Sequence, residues 1–199
     1  NIDDTAGGSV LHNATIFAVG GIWYLILFLI IATLRPYLLF QQLLGENFVE
    51  LGKLLKIKAG YYSQNPDYND LFTQMIQQQV TLRENHETLR EIIFKTREFV
   101  KESTTKSRIM MLMFLDSIDL FERILNSQQN YNNLHRAFDD TKILRMFGTY
   151  INWLAQDIQQ IGIAIQTGFA SHSKRDLDEA YNKCQKAFET IRSEKMTHE

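Results

Sequence analysis

The amino-acid sequence predicts an all-α protein, with one transmembrane helix running into an elongated antiparallel helical bundle. Three observations lead there. Residues 14–34 (ATIFAVGGIWYLILFLIIATL) carry no charged side chain, and a helix of that length runs roughly 30 Å, about the hydrocarbon thickness of a bilayer. Only 2 prolines and 10 glycines punctuate the 199 residues, which leaves few breakers and favours long helices. Beyond residue 35 the apolar residues recur at three- and four-residue spacings, without the alternation of strands.

Bulk properties exclude several classes. A net charge of -2 gives no broad basic footprint, so no nucleic-acid partner is expected. The single cysteine, Cys184, excludes an internal disulfide framework and reads as a packed thiol. Asp3 and Asp4 precede the apolar run and Leu34-Arg35-Pro36-Tyr37 follows it. An export signal would carry basic residues ahead and a small-residue cleavage site behind. The expectation is instead an internal piece of a longer membrane protein, beginning just before a span.

Taken in order, residues 1–13 are expected as an extracytoplasmic loop, 14–35 as the transmembrane helix and 36–199 as a cytoplasmic helical bundle domain. Gly20 and Gly21 lie mid-span, where small residues let a neighbouring helix approach closely. Trp23 and Tyr24 sit near the centre rather than at an interface, which suits packing inside a bundle better than an aromatic belt. Arg35, Lys53, Lys56 and Lys58 follow the span and no Lys or Arg precedes it, so the positive-inside rule puts everything after residue 35 in the cytoplasm. Pro36 is tolerable at a bend, beyond which the helix runs on.

Tyr37, Phe40, Leu44, Phe48, Leu51 and Leu55 then mark an amphipathic helix to about Tyr62, broken by SQNPD at 63–67. A second helix starts near Tyr68. Its seam is Leu71, Met75, Leu82, Leu89, Ile93 and Val100, interrupted by Gln78 and His86. A turn at 102–105 leads to a third helix, about 106–126, with Met111, Phe114, Leu115, Ile118, Phe121 and Leu125 on its apolar face. A polar connection (126–133) precedes a fourth helix, about 134–167, with a break near Asp139-Asp140 left open and Gly168 as its C-terminal cap. A charged helix over about 175–193 closes the chain.

None of the five histidines has a second His three to five positions away, and no Glu-x-x-His occurs, so the ligand spacings of di-iron bundles and zinc proteases are missing. No cofactor and no catalytic residue is expected. His135 and Asp139, at i and i+4, read as a surface contact rather than half of a metal site. His86 on the apolar seam reads as a histidine satisfied by a polar neighbour, with a pH switch as the sharper alternative. Met110, Met111 and Met113 read as core.

The run Gly20-Gly21-Ile22-Trp23-Tyr24, followed by Leu34-Arg35-Pro36-Tyr37, resembles the YccS/YhfK-type bacterial inner-membrane proteins of the fusaric-acid-resistance and aromatic-acid-exporter group. The resemblance implies a permease-like protein with spans in two sets around a cytoplasmic domain, exporting small organic acids or related toxic compounds. Gly20, Gly21, Trp23, Tyr24, Arg35, Pro36 and Tyr37 would then be structural: close packing, an interface anchor at Arg35 and a bend at Pro36. The implied partners are membrane lipid, the other transmembrane helices of the same protein and, as an open alternative, further copies of the chain. Two other readings remain at this point. One is a single-span membrane-anchored scaffold for signalling or partner binding. The other is a soluble bundle with residues 14–34 as its buried central helix.

Overall fold

The computed structural model describes the backbone of residues 3–95, 105–127, 129–139, 141–170 and 175–197, and side chains across these ranges except at 3–13, 31–37 and 194–197. Among the described residues all regular structure is helical: α1 (Asp3–Gly60), α2 (Tyr68–Lys95), α3 (Thr105–Asn126), α4 (Tyr131–Phe138), α5 (Ile143–Thr167) and α6 (Leu177–Thr197). The chain divides into two compact units, Asn1–Phe40 and Gln41–Glu199.

In the first unit α1 begins at Asp3, so helix replaces most of the loop expected over 1–13. The helix is continuous through Pro36. Every described residue from 14 to 30 is exposed, including Phe17 at 82%, Trp23 at 63% and Tyr24 at 68%. Exposure on all sides overturns the reading of this stretch as the buried centre of a soluble bundle. Among the described residues, no helix is long and apolar enough to cross a membrane. Residues 31–35, the last of the expected span, lie outside the described side chains.

The second unit is organised on α1 from Gln41 onward. Leu44, Leu51 and Leu54 are fully buried, and Phe48 and Leu55 nearly so. Each such side chain contributes about 1.5–3 kcal/mol of burial, so this segment is the hub of the core. One face of it is stripped of side chains at a seven-residue interval: Gly45, Gly52 and Ala59. The matching positions on α5 are Gly162, Ala155 and Gly148. A methyl group on Gly162 would lie 2.5 Å from Gly45 O and 2.9 Å from Val49 N, and one on Gly52 would lie 2.7 Å from Ala155 O. The two backbones therefore run antiparallel and closer than ordinary side chains allow. Gln41 Nε2 donates to Ile165 O at 2.6 Å, and Gln166 Nε2 donates to Gln42 O at 3.4 Å, fixing the register.

On its other faces α1 packs antiparallel to α2, where Gln78 Nε2 donates to Glu50 O (3.1 Å) and Leu71 lies against Gly60. It runs parallel to α3, where Asn47 Nδ2 donates to Ser117 Oγ at 2.9 Å and Lys58 reaches Ile124 O. Helix α6 returns antiparallel along α5: the Tyr150 and Tyr181 rings lie 6.1 Å apart, and the Arg175 guanidinium sits 5.7 Å over the Trp153 ring.

The local stops follow from side-chain chemistry. Asp67 Oδ1 accepts from the backbone of Asn69 and Asp70, both at 3.1 Å, and so starts α2. Asn130 and Asp176 do the same for α4 and α6. Gly168 closes α5 with φ +74°, a conformation that favours glycine.

The break left open near Asp139-Asp140 is present: the fourth helix is two, α4 ending at Phe138 and α5 starting at Ile143. Two expectations need correction. The connection over 126–133 is shorter than expected, because α4 starts at Tyr131. The buried face of α3 is Ser107, Met110, Phe114, Ser117, Phe121 and Ile124; Leu115, placed on the core face from the sequence, is 51% exposed. The core face includes two serines, so a search for apolar residues alone rotates the helix. The turn expected over 102–105 falls almost wholly outside the described residues.

Candidate functional site

The densest grouping of polar chemistry in the second unit lies where α1 ends. Backbone turns from Tyr61 N to Lys58 O and from Tyr62 N to Ala59 O close the helix. Two tyrosines are thereby presented beside α4. The Tyr61 and Tyr131 rings stack at 4.6 Å, Tyr62 meets Tyr131 edge-on at 5.6 Å, and Tyr68 of α2 completes the cluster 6.0 Å from Tyr61. Burial raises the pKa of all four phenols, so they remain neutral and act as packing and hydrogen-bonding surface.

His135 is the polar centre of this cluster. It is buried, on the face of α4 turned to α1, with Nε2 2.8 Å from Tyr61 O and Nδ1 2.6 Å from Asp139 Oδ1. Both partners accept only, and a neutral imidazole has one N–H. The geometry therefore calls for the imidazolium, donating on both sides. Burial opposes that charge, but the bonds to Tyr61 O and Asp139 outweigh it and hold the pKa above the ordinary histidine value. The contact expected between His135 and Asp139 is present, although the histidine is buried rather than on the surface.

Lys58 lies one turn back and is 5% exposed. Its ammonium donates to Ile124 O and Ser127 Oγ, where the C-terminal end of α3 offers free carbonyls and partial negative charge. Burial without a carboxylate partner pushes its pKa down from 10.5 to about 8. Between those values the unfolded chain holds more protons than the folded one, so stability rises with pH. Equilibrium denaturation at pH 8 and pH 9.5 is expected to give the higher unfolding free energy at pH 9.5, and Lys58→Met is expected to flatten that rise. A wild-type profile that falls across this window would refute the assignment.

Beside the cluster is a cavity of about 360 Å³. Leu134 and Phe138 of α4 form one wall, Ile143, Leu144 and Phe147 of α5 another, and Phe188 of α6 and Tyr62 border it. Leu134 and Phe138 are four residues apart, on the side of α4 adjoining that of Tyr131 and His135.

The other sequence-selected residues lie elsewhere. Gly20 and Gly21 have nothing within 4 Å of where a Cβ would stand, and Trp23 and Tyr24 are exposed. The side chains of Arg35, Pro36 and Tyr37 lie outside the described residues. His86 departs from expectation: its ring meets Phe114 and Phe121 edge-on at 6.1 and 5.3 Å, and its Nε2 has no hydrogen-bond partner among the described residues. Burial first, and Arg90 second, lower its pKa against the pull of Glu87. Met110 and Cys184 are buried, as expected. Among the described residues no group of three or more His, Cys, Asp or Glu could hold a metal ion. Lys58 and the tyrosines Tyr61, Tyr62 and Tyr131 went unselected in the sequence; the only signal was a pair of aromatics set beside a helix break.

The fold thus defines a helical-bundle protein carrying an exposed apolar helix, with a histidine–tyrosine cluster and an apolar cavity in the bundle. The family model described as "FUSC-like inner membrane protein yccS" matches residues 4–199, and the chain belongs to this FUSC-like family. Its membership makes it an efflux-transporter-related inner-membrane protein. No curated protein and no solved structure matches the chain.

Proposed function

We propose that the chain is part of a multi-span, permease-like inner-membrane protein that exports small organic or aromatic acids or related toxic compounds. In this reading residues 14–35 lie in lipid, Gly20 and Gly21 pack against other spans, and Arg35, Pro36 and Tyr37 form the cytoplasmic junction. The second unit is then a cytoplasmic structural, gating or dimerisation domain. The observation carrying this reading is the exposure of every described residue from 14 to 30, a stretch whose sequence stays uncharged to Leu34. Bare apolar surface on all sides of a helix is costly in water and favourable in hydrocarbon.

A reporter fused after Tyr62 tests the sidedness. Activity in the cytoplasm is expected, and activity only in the periplasm overturns the reading. Cells expressing the full-length protein are expected to accumulate less of an added aromatic carboxylic acid than cells lacking it. Recovery of the intact chain as a freely dissolved monomer without detergent would end the proposal.

A further inference from the structure

We propose that the cavity between α4, α5 and α6 is a binding site for an uncharged bicyclic aromatic molecule. Its volume of about 360 Å³ is within the range of small-molecule sites, and roughly twice the ~150 Å³ cavity that accepts benzene. Three phenylalanines from three helices (Phe138, Phe147 and Phe188) present rings to it, with Leu134, Ile143 and Leu144 between them. Such a lining favours a flat apolar body held by stacked and edge-on ring contacts. Tyr62 and Gln129 are the polar residues of its described lining. Among the described residues, no lysine, arginine, histidine, aspartate or glutamate lines it. A carboxylate or ammonium placed there would be desolvated without a counter-charge, so the site selects a neutral ligand with at most one hydroxyl or amide.

The wall formed by α4 is held from outside the cavity. Its eight residues are too few to be stable alone. They are fixed by the Asn130 cap and by His135 bonded to Tyr61 O and Asp139. The site belongs to the second unit and does not depend on whether residues 14–35 lie in lipid.

The test is calorimetric titration of the full chain in lipid nanodiscs at pH 7 with 2-naphthol, neutral at that pH, and with 2-naphthoate, its anionic analogue; empty nanodiscs give the lipid background. Saturable binding of one 2-naphthol per chain is expected, at least tenfold tighter than 2-naphthoate. Leu134→Trp and Phe188→Trp, which fill the cavity from two sides, are each expected to weaken 2-naphthol at least tenfold. Ile163→Trp, on an exposed part of α5, should leave it unchanged. No saturable uptake above empty nanodiscs, or 2-naphthoate binding as tightly as 2-naphthol, overturns the proposal. These two results come from the wild type and need no variant to fold. Undiminished binding in a folded Phe188→Trp protein overturns the location.

Discussion

Gly162→Ala is expected to destabilise the helical unit by about 1–3 kcal/mol, the usual cost of forcing atoms into a filled site. In an exposed helix interior the same change stabilises by up to ~1 kcal/mol, because alanine is the better helix former. The sign is therefore diagnostic. The added methyl group would stand 2.5 Å from Gly45 O and 2.9 Å from Val49 N; these are backbone atoms, which cannot rotate away as a side chain can. Relief requires α1 and α5 to separate, and that loosens the packing of Leu44 and Leu51. Denaturant unfolding of Gly162→Ala beside the unsubstituted protein makes the comparison. Equal or greater stability for Gly162→Ala would mean that the two helices do not meet in this register.

The second large effect concerns His135. Replacing it with leucine removes two charge-assisted hydrogen bonds and is expected to cost about 1.5–3 kcal/mol, with the loss concentrated in α4. The pH dependence has a definite sign. The folded-state pKa is raised above the unfolded value, so the stabilisation is fully present below about 6.5 and is lost as pH rises through the folded pKa. The groups facing the ring are the Tyr61 carbonyl, Tyr68 of α2 at 6.4 Å, and Asp139; the Tyr68 phenol stays neutral throughout this window. His86 works in the opposite direction. Its lowered pKa means that stability falls as pH drops below the unfolded value, so a bulk denaturation profile mixes the two. Residue-resolved NMR titration separates them: His135 should titrate above 6.5 and His86 below it. Asp139→Asn should bring the His135 midpoint down, and an unmoved midpoint would rule out the ion pair as its cause.

Periodicity made much of the fold legible. The spacing of Phe40, Leu44, Phe48, Leu51 and Leu55 marked the buried face of α1, and SQNPD marked its end, because an apolar stripe and a proline-containing break each have one physical meaning. On α3 the same reasoning picked Leu115 over Ser117, since only the partner Asn47 makes a serine a core residue. The Gly45, Gly52 and Ala59 repeat was in plain view. Without its counterpart on α5, a hundred residues away, it was three small residues in a helix. At the site, the i, i+4 spacing of His135 and Asp139 was readable. The acceptor on the other ring nitrogen is a backbone carbonyl from residue 61, which no sequence pattern encodes. The cavity was illegible for the same reason: the residues around it, at 62, 129, 134, 138, 143, 144, 147 and 188, come from separate stretches of the chain, and each is ordinary by itself.

The seven-residue repeat of small side chains limits how α1 and α5 can slide. Smooth places on the two helices coincide again only after a travel of seven residues, roughly 10 Å. Gln41 and Gln166 latch the present setting. The pair thus has one stop rather than a ladder of closely spaced ones, and any displacement passing along it must move both helices together as a strut.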